Sequence, residues 1–253
     1  MSVLDGVATV TIDRPSKRNA LTVDMWRTVS AICADLAVES SLRAVVLTGA
    51  GQSFCAGADI SALSADEPTM RQVVDHAESA LRELAVPTIA KIRGHCMGGG
   101  SQLAIACDLR IADESATFAV PPAKLGVIYS VPSMRALTEL VGPAWTKRLI
   151  FTAQPITAST ALRIGLVEQV VPPAALDETV AELIEAMLPL SPMTQLATKQ
   201  LANLIADGAD ADSAYLAWSA EWRASPDGVE GPRAFLERRP AQFSWRRTIR
   251  AGD

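Results

Sequence analysis

The sequence predicts an α/β fold in which short strands alternate with helices before a helical segment closes the chain. Three observations carry this: short apolar runs bounded by turn residues, apolar stripes at helical spacing between them, and a mostly helical pattern from Pro132 onward. Val7 to Ile12 (VATVTI) reads as a strand that runs into a turn at Arg14-Pro15-Ser16. Thr22 stands as an N-cap with Asp24 in the first turn, and Met25, Val29, Ile32 and Leu36 form one apolar face. Ala44 to Thr48 is a short buried strand ending at Gly49-Ala50-Gly51. Met70, Val73, Val74, Ala77, Leu81 and Leu84 recur at helical spacing, and Thr88 to Ile92 and Asp108 to Ala112 are the next strands. Further helices are expected over 143–151, 158–164, 174–188, 191–206 and 209–223, with prolines at several of their starts. No repeat or flexible linker intervenes, so a core over 1–190 and a docked helical assembly module over 191–253 are expected.

The 253 residues carry 23 Lys+Arg against 28 Asp+Glu, a net charge of −5. That mild acidity argues against nucleic acid or an anionic membrane as the main partner. With 49% hydrophobic and 20% charged residues the chain can bury a full core and is too apolar for disorder. Cys33, Cys55, Cys96 and Cys107 form no C-x-x-C pair, and His76 and His95 complete no zinc spacing. Scattered thiols of this kind fit a reducing compartment, and no metal is expected. Met1 to Gly6 lacks the basic and apolar regions of a signal peptide, and no apolar run reaches membrane-spanning length. The expectation is a soluble, cytoplasmic protein.

Two stretches carry chemistry. Ser53-Phe54-Cys55-Ala56-Gly57-Ala58-Asp59-Ile60 is a small-residue loop directly after a strand. Gly94 to Ala104 (GHCMGGGSQLA) leaves a strand through three glycines into a helix. Glycines opening a helix let backbone approach a ligand, and the helix's free N–H groups favour developing negative charge. A Gly-rich turn alone is equally well a tight turn, and no G-K-[ST] follows to make a Walker motif.

Together with Asp13 to Leu21 (DRPSKRNAL), Cys107 to Ala112 (CDLRIA), Phe118 to Gly126, Leu149 to Ala153, Gly165 to Val167 and Phe235 to Pro240, these stretches resemble the crotonase superfamily. This is the enoyl-CoA hydratase/isomerase family, and the matches are collinear over nearly the whole chain. The resemblance implies a crotonase-like spiral of ββα units and a C-terminal helical module that builds a homotrimer or a dimer of trimers. It implies an acyl-CoA substrate and no cofactor beyond that coenzyme A thioester. By the same likeness, the backbone N–H groups of Ala58 and Gly99 form an oxyanion hole that stabilises the thioester enolate. Arg18, Ala20, Ala56, Asp59 and Ile60 are expected to line the CoA pocket. One of the arginines of the C-terminal tail is a candidate for the CoA phosphates.

The family pattern breaks at the acid/base positions. Hydratases of the family place one glutamate three residues after the oxyanion glycine, where this chain has Gln102, and another where it has Pro122. Glutamine exchanges no proton near neutral pH, and proline carries neither acid nor N–H. Decarboxylation of a malonyl thioester needs no such base, because loss of CO₂ itself generates the enolate. Pro121 to Ser130 resembles the bacterial methylmalonyl-CoA decarboxylases, in which a tyrosine at the position of Tyr129 orients the carboxylate; Gln102 departs from them too. The leading expectation is therefore an enolate-stabilising decarboxylase, with Ala58, Gly99, Tyr129 and Gln102 as the catalytic set. The alternatives are an enoyl-CoA hydratase or isomerase with an unusual acid/base set, for which Asp75 and His76 are candidates, and an acyl-CoA binder without catalysis.

Overall fold

The computed structural model of the protein describes residues 1–59 and 67–248. Its main sheet joins β1 (Ser2–Leu4), β2 (Val7–Ile12), β3 (Ala44–Gly49), β4 (Thr88–Ile92), β6 (Leu109–Asp113) and β9 (Gln169–Val171) in that order. Only β1 and β2 pair antiparallel; the other ladders are parallel. A second sheet pairs β5 (His95–Met97) with β7 (Thr117–Ala119) in parallel, and β7 with β8 (Ile156–Thr157) antiparallel. The chain therefore winds from one sheet to the other and back: β4 and β5 lead into α3 (Gly99–Ala106), and β6 and β7 lead into α4 (Pro122–Leu125). These are the expected ββα turns of a spiral. β5 and β7, three residues each, are too short to stand out as periodic runs.

Each element follows from its residues. In α1 (Val23–Ala37) the Thr22 hydroxyl accepts from the Met25 N–H, and Trp26, Val29, Cys33 and Leu36 bury one face. β3 is flanked by strands on both sides, and its Ala44 to Leu47 are all buried, as parallel interior strands require. α2 (Glu67–Arg82) buries Met70, Ala77 and Leu81 against the core. The helix expected over 143–151 is the second half of α5 (Val131–Thr152), which breaks at Gly142, φ +72°, before Pro143. Its first half, capped by the Ser130 hydroxyl, and α10 (Asp227–Glu237), which has no side-chain cap and contains Pro232, lie outside the expected helices.

α6 (Ala158–Arg163), α7 (Leu176–Met187), α8 (Pro192–Ala206) and α9 (Asp212–Ala224) lie within about three residues of their expected bounds. Lys199 of α8 docks the C-terminal helices on the core. Its Nζ donates to the Val86 carbonyl at 3.0 Å and pairs with Asp108 at 2.8 Å. Tyr215, Leu216, Trp222, Phe235 and Leu236 of α9 and α10 are exposed. No described helix is long and apolar enough to cross a membrane.

Candidate active site

The site begins with a buried clip. Asn19, fully buried and with φ +59°, donates from Nδ2 to the carbonyls of Ala50 (2.9 Å) and Ser53 (2.6 Å), and its Oδ1 accepts from the Arg14 N–H. This fixes the segment 18–21 beside the loop 55–59. Ala56 N–H donates to Arg18 O, Leu21 N–H to Gly57 O, and Asp59 N–H to Leu21 O. In such a parallel bridge successive amides point to opposite sides, so the Ala58 N–H faces away from Leu21.

On that other side lies the glycine turn. Gly98 has φ +53°, ψ −118°, a conformation that a side chain would strain, and it caps α3. A Cβ on Gly99 would sit 2.7 Å from Cζ2 of the fully buried Trp26 and 3.4 Å from the Ala58 nitrogen; one on Gly100 would meet the Cys55 carbonyl at 2.3 Å. The glycines let three chain segments touch. The two loops meet so that the N–H groups of Ala58 and Gly99 lie side by side, and neither has an acceptor among the described residues. Two unengaged amides, one at a helix N-terminus, present partial positive charge at one spot.

That spot opens on a cavity of about 280 Å³ lined by Ala56, Ala58, Gly99, Gln102, Tyr129, Met70 and Val74, among others. The structure thus gathers Ala58, Gly99, Gln102 and Tyr129 around one space. The Tyr129 hydroxyl is 3.7 Å from where a Cβ of Gly98 would stand. Burial first, then the nearby Glu78 charge, pushes its phenol well above the ordinary tyrosine range, so it stays protonated. Pro122, at the other expected acid position, is buried at the start of α4. Of the expected CoA-pocket residues only Ala56 lines this cavity. Arg18 is exposed, and Ala20 gives its carbonyl to Arg14, whose guanidinium also pairs with Asp59 at 2.6 Å. Ile60 lies outside the described residues.

The tail arginines are largely engaged within the chain: Arg239 pairs with Glu230 and Glu237, and Arg247 donates to the Ala37 carbonyl. His95 Nδ1 shares a proton with the Ser53 hydroxyl at 3.2 Å, a structural role, and His76 is exposed. All four cysteines are free and buried, and burial raises Cys33 to about 11 and Cys55 and Cys107 to about 12. None is a thiolate nucleophile at neutral pH.

One group at the site had no place in the sequence expectations. Glu78 of α2 lines a second cavity of about 370 Å³ that shares Asp75, Gln102 and Tyr129 with the first. Its Oε2 accepts from the Ser133 hydroxyl at 2.6 Å, Ser133 accepts from Gln102 Nε2 at 3.0 Å, and Oε1 is buried without a partner. Burial raises the carboxyl to about 7, opposed by the Ser133 hydrogen bond and assisted by the charge of Asp75. The signal was present: Glu78 lies four residues after Val74 and three before Leu81, an acid set in an apolar stripe.

The shift makes a stability prediction. An unfolded glutamate titrates near 4.5 and this one near 7, so the folded state holds the extra proton between those values. Stability is unimpaired below pH 4.5, falls as pH rises toward 7 and levels off above. Glu78→Gln, which keeps the acceptor for Ser133 and removes the charge, should exceed the wild type by about 1–2 kcal/mol at pH 8 and match it at pH 4. This figure is discounted from the full shift because the residue is only half-buried. Urea denaturation at the two pH values checks this.

Comparison with known proteins decides the family. The model for enoyl-CoA hydratase/isomerase matches residues 3–246. The chain belongs to the enoyl-CoA hydratase/isomerase family. A short-chain-enoyl-CoA hydratase of Clostridium acetobutylicum is 36% identical over 241 residues, covering 92% of each chain. An (E)-benzylidenesuccinyl-CoA hydratase of Thauera aromatica is 32% identical over 252 residues, covering 96% of this chain and 97% of that one. Among solved structures, an enoyl-CoA hydratase/isomerase family member superposes with a TM-score of 0.91 at 36% identity over 98% of this chain and 96% of that one. The enoyl-CoA hydratase of Bacillus anthracis does so with a TM-score of 0.88 at 30% identity, covering 96% and 97%. The mixed α/β crotonase fold expected from the motifs is thus the fold of this family member.

Proposed function

We propose that this family member is an enoyl-CoA hydratase or isomerase with an atypical acid/base set, reacting through a thioester enolate held by the N–H groups of Ala58 and Gly99. The observation that carries the proposal is the pair of unengaged amides at one end of a largely apolar cavity. A thioester oxygen placed there gains little in the neutral ground state and much once it is an oxyanion, which is the differential binding that accelerates a reaction. Hydration of a 2-enoyl thioester and migration of its double bond both pass charge onto that oxygen. The relatives named as hydratases support this over decarboxylation. The resemblance to methylmalonyl-CoA decarboxylases keeps one supporting feature, the protonated Tyr129 hydroxyl beside the glycine turn, placed to donate to a substrate carboxylate.

Incubation with crotonyl-CoA, and separately with malonyl-, methylmalonyl- and ethylmalonyl-CoA, followed by chromatography, separates the readings. Conversion of crotonyl-CoA to its 3-hydroxy product or to a shifted isomer is expected. Release of propionyl-CoA from methylmalonyl-CoA, lost in Tyr129→Phe, with crotonyl-CoA untouched, would replace this proposal by the decarboxylase. Tight binding of acyl-CoA with no turnover of any of them would replace it by a carrier.

A further inference from the structure

The two cavities beside the glycine turn contain few carboxyls able to move a proton. Asp207, on the far side, is tied to Arg82 at 2.8 Å and to Arg135 at 3.3 Å, which holds it ionised and below the usual carboxylate range. Glu83 and Glu139 line the second cavity with Glu78, but among the described residues only Glu78 is linked, through Ser133, to Gln102, which lines both cavities. Gln102 and Pro122 cannot titrate. Asp75 and Glu78 remain, one turn apart on α2. Only Glu78 combines a fixed hydrogen-bonded oxygen with a second oxygen that is buried and unpaired.

We propose that Glu78 is the catalytic acid/base of this site, its Oε1 taking and returning the proton at the carbon next to the thioester. The inference rests on the enolate reading above and adds the group that reading lacks. The hydrogen-bond order argues for Oε1. The Ser133 hydroxyl donates to Oε2 at 2.6 Å, while its oxygen accepts from Gln102 and lies 3.0 Å from the Ser130 hydroxyl. With Oε2 so engaged, a proton gained by Glu78 sits on Oε1, which is buried and has no hydrogen-bond partner. In the exchange step the Cα–H bond breaks, its electron pair moves through the new C=C bond onto the thioester oxygen at Ala58 and Gly99, and the proton goes to Oε1. Reversal restores both. In hydration the carboxylate takes a proton from the water that bonds to the β-carbon, and the resulting acid delivers a proton to the α-carbon, so one carboxyl balances the step. A glutamate raised to about 7 is half in each form at neutral pH, as this double duty requires. Of the groups lining its cavity, Arg82 and Arg135 are paired with Asp207, Tyr129 stays neutral, Glu83 and Glu139 are further carboxyls, and the Asp75 charge favours the protonated form.

The test is α-proton exchange of butyryl-CoA in D₂O, followed by mass spectrometry, with butyryl-CoA affinity measured alongside. Wild type should exchange, with a rate that rises through a midpoint near pH 7. Glu78→Gln should lose at least about 10²-fold in exchange rate at unchanged affinity, the usual magnitude for an acid/base group. Asp75→Asn, which removes the charge that favours protonated Glu78, should move the midpoint to lower pH. Ser133→Ala, which removes the hydrogen bond favouring the charged form, should move the midpoint to higher pH; a merely structural Glu78 would not produce that shift, and it needs no glutamate variant to fold. Exchange by Glu78→Gln at the wild-type rate, or a midpoint indifferent to Ser133→Ala, would overturn the assignment while leaving the enolate reading standing. No exchange by the wild type, despite binding, would instead remove the enolate reading and Glu78's role with it.

Discussion

Gly99→Ala should lower the turnover of a CoA thioester by about 10²-fold, the range associated with losing one oxyanion donor. The substitution keeps the N–H but gives the residue a Cβ 2.7 Å from Trp26 Cζ2 and 3.1 Å from Cη2. Trp26 is fully buried in the core. Either the indole or the first turn of α3 must shift, and a shift of even 1 Å displaces the amide from its partner at Ala58. The same overpacking should cost about 2 kcal/mol of stability. Trp26→Phe, which removes the offending ring atoms, should recover part of both losses when combined with Gly99→Ala, so the double variant falls short of the sum of the singles. Strict additivity in denaturant and steady-state measurements would show that the indole is not the cause.

Arg110→Met should cost about 3–5 kcal/mol, the largest stability effect expected for a residue away from the cavity. Arg110 is 2% exposed, and its guanidinium donates to the carbonyls of Leu166 (3.0 Å) and Cys107 (2.7 Å) while pairing with Glu168. A methionine fills the space but supplies no donor, leaving buried carbonyls unsatisfied at the C-terminal end of α3. Midpoints of urea unfolding check this, and a loss below about 1 kcal/mol would mean that water replaces the guanidinium. Because the Gly99 amide lies at the other end of α3, turnover by the folded fraction should change only a few-fold. Gly99→Ala and Arg110→Met thus separate the end of the helix at the cavity from its anchored end.

Much of the site was legible because it is built of features that only certain residues allow. Gly98, Gly99 and Gly100 announce a place where backbone meets backbone, and the Ala56 to Asp59 loop announces its partner. Asn19 belonged to a quoted motif, but its task of clipping two loops together shows only in three dimensions. Glu78 is visible as an acid in an apolar stripe, but its role is hidden for a related reason. Its link to Gln102 runs through Ser133, 55 residues further along the chain, and no local pattern encodes that meeting. Asp75 and His76 are neighbours on the same helix, yet His76 is exposed and lines neither of the two cavities beside the glycine turn. The apolar stripe marked α2 as packed; it took tertiary contact to show that an acid was packed with it.

The pairing of Ala58 and Gly99 through their main-chain amides has an evolutionary consequence. A machine made of peptide groups has no side chain to delete, so ordinary point substitutions at Ala58 leave its donor in place. Insertions or deletions are another matter, since a slip of one residue in the bridged 55–59 loop turns the Ala58 amide to the opposite side. On the proposed reading the charge-stabilising amides are thereby shielded from drift, while the side chain that moves the proton can come from another element, Glu78 of α2 in place of Gln102 or Pro122. A lineage built this way can exchange one reaction for another without first dismantling what made either of them fast.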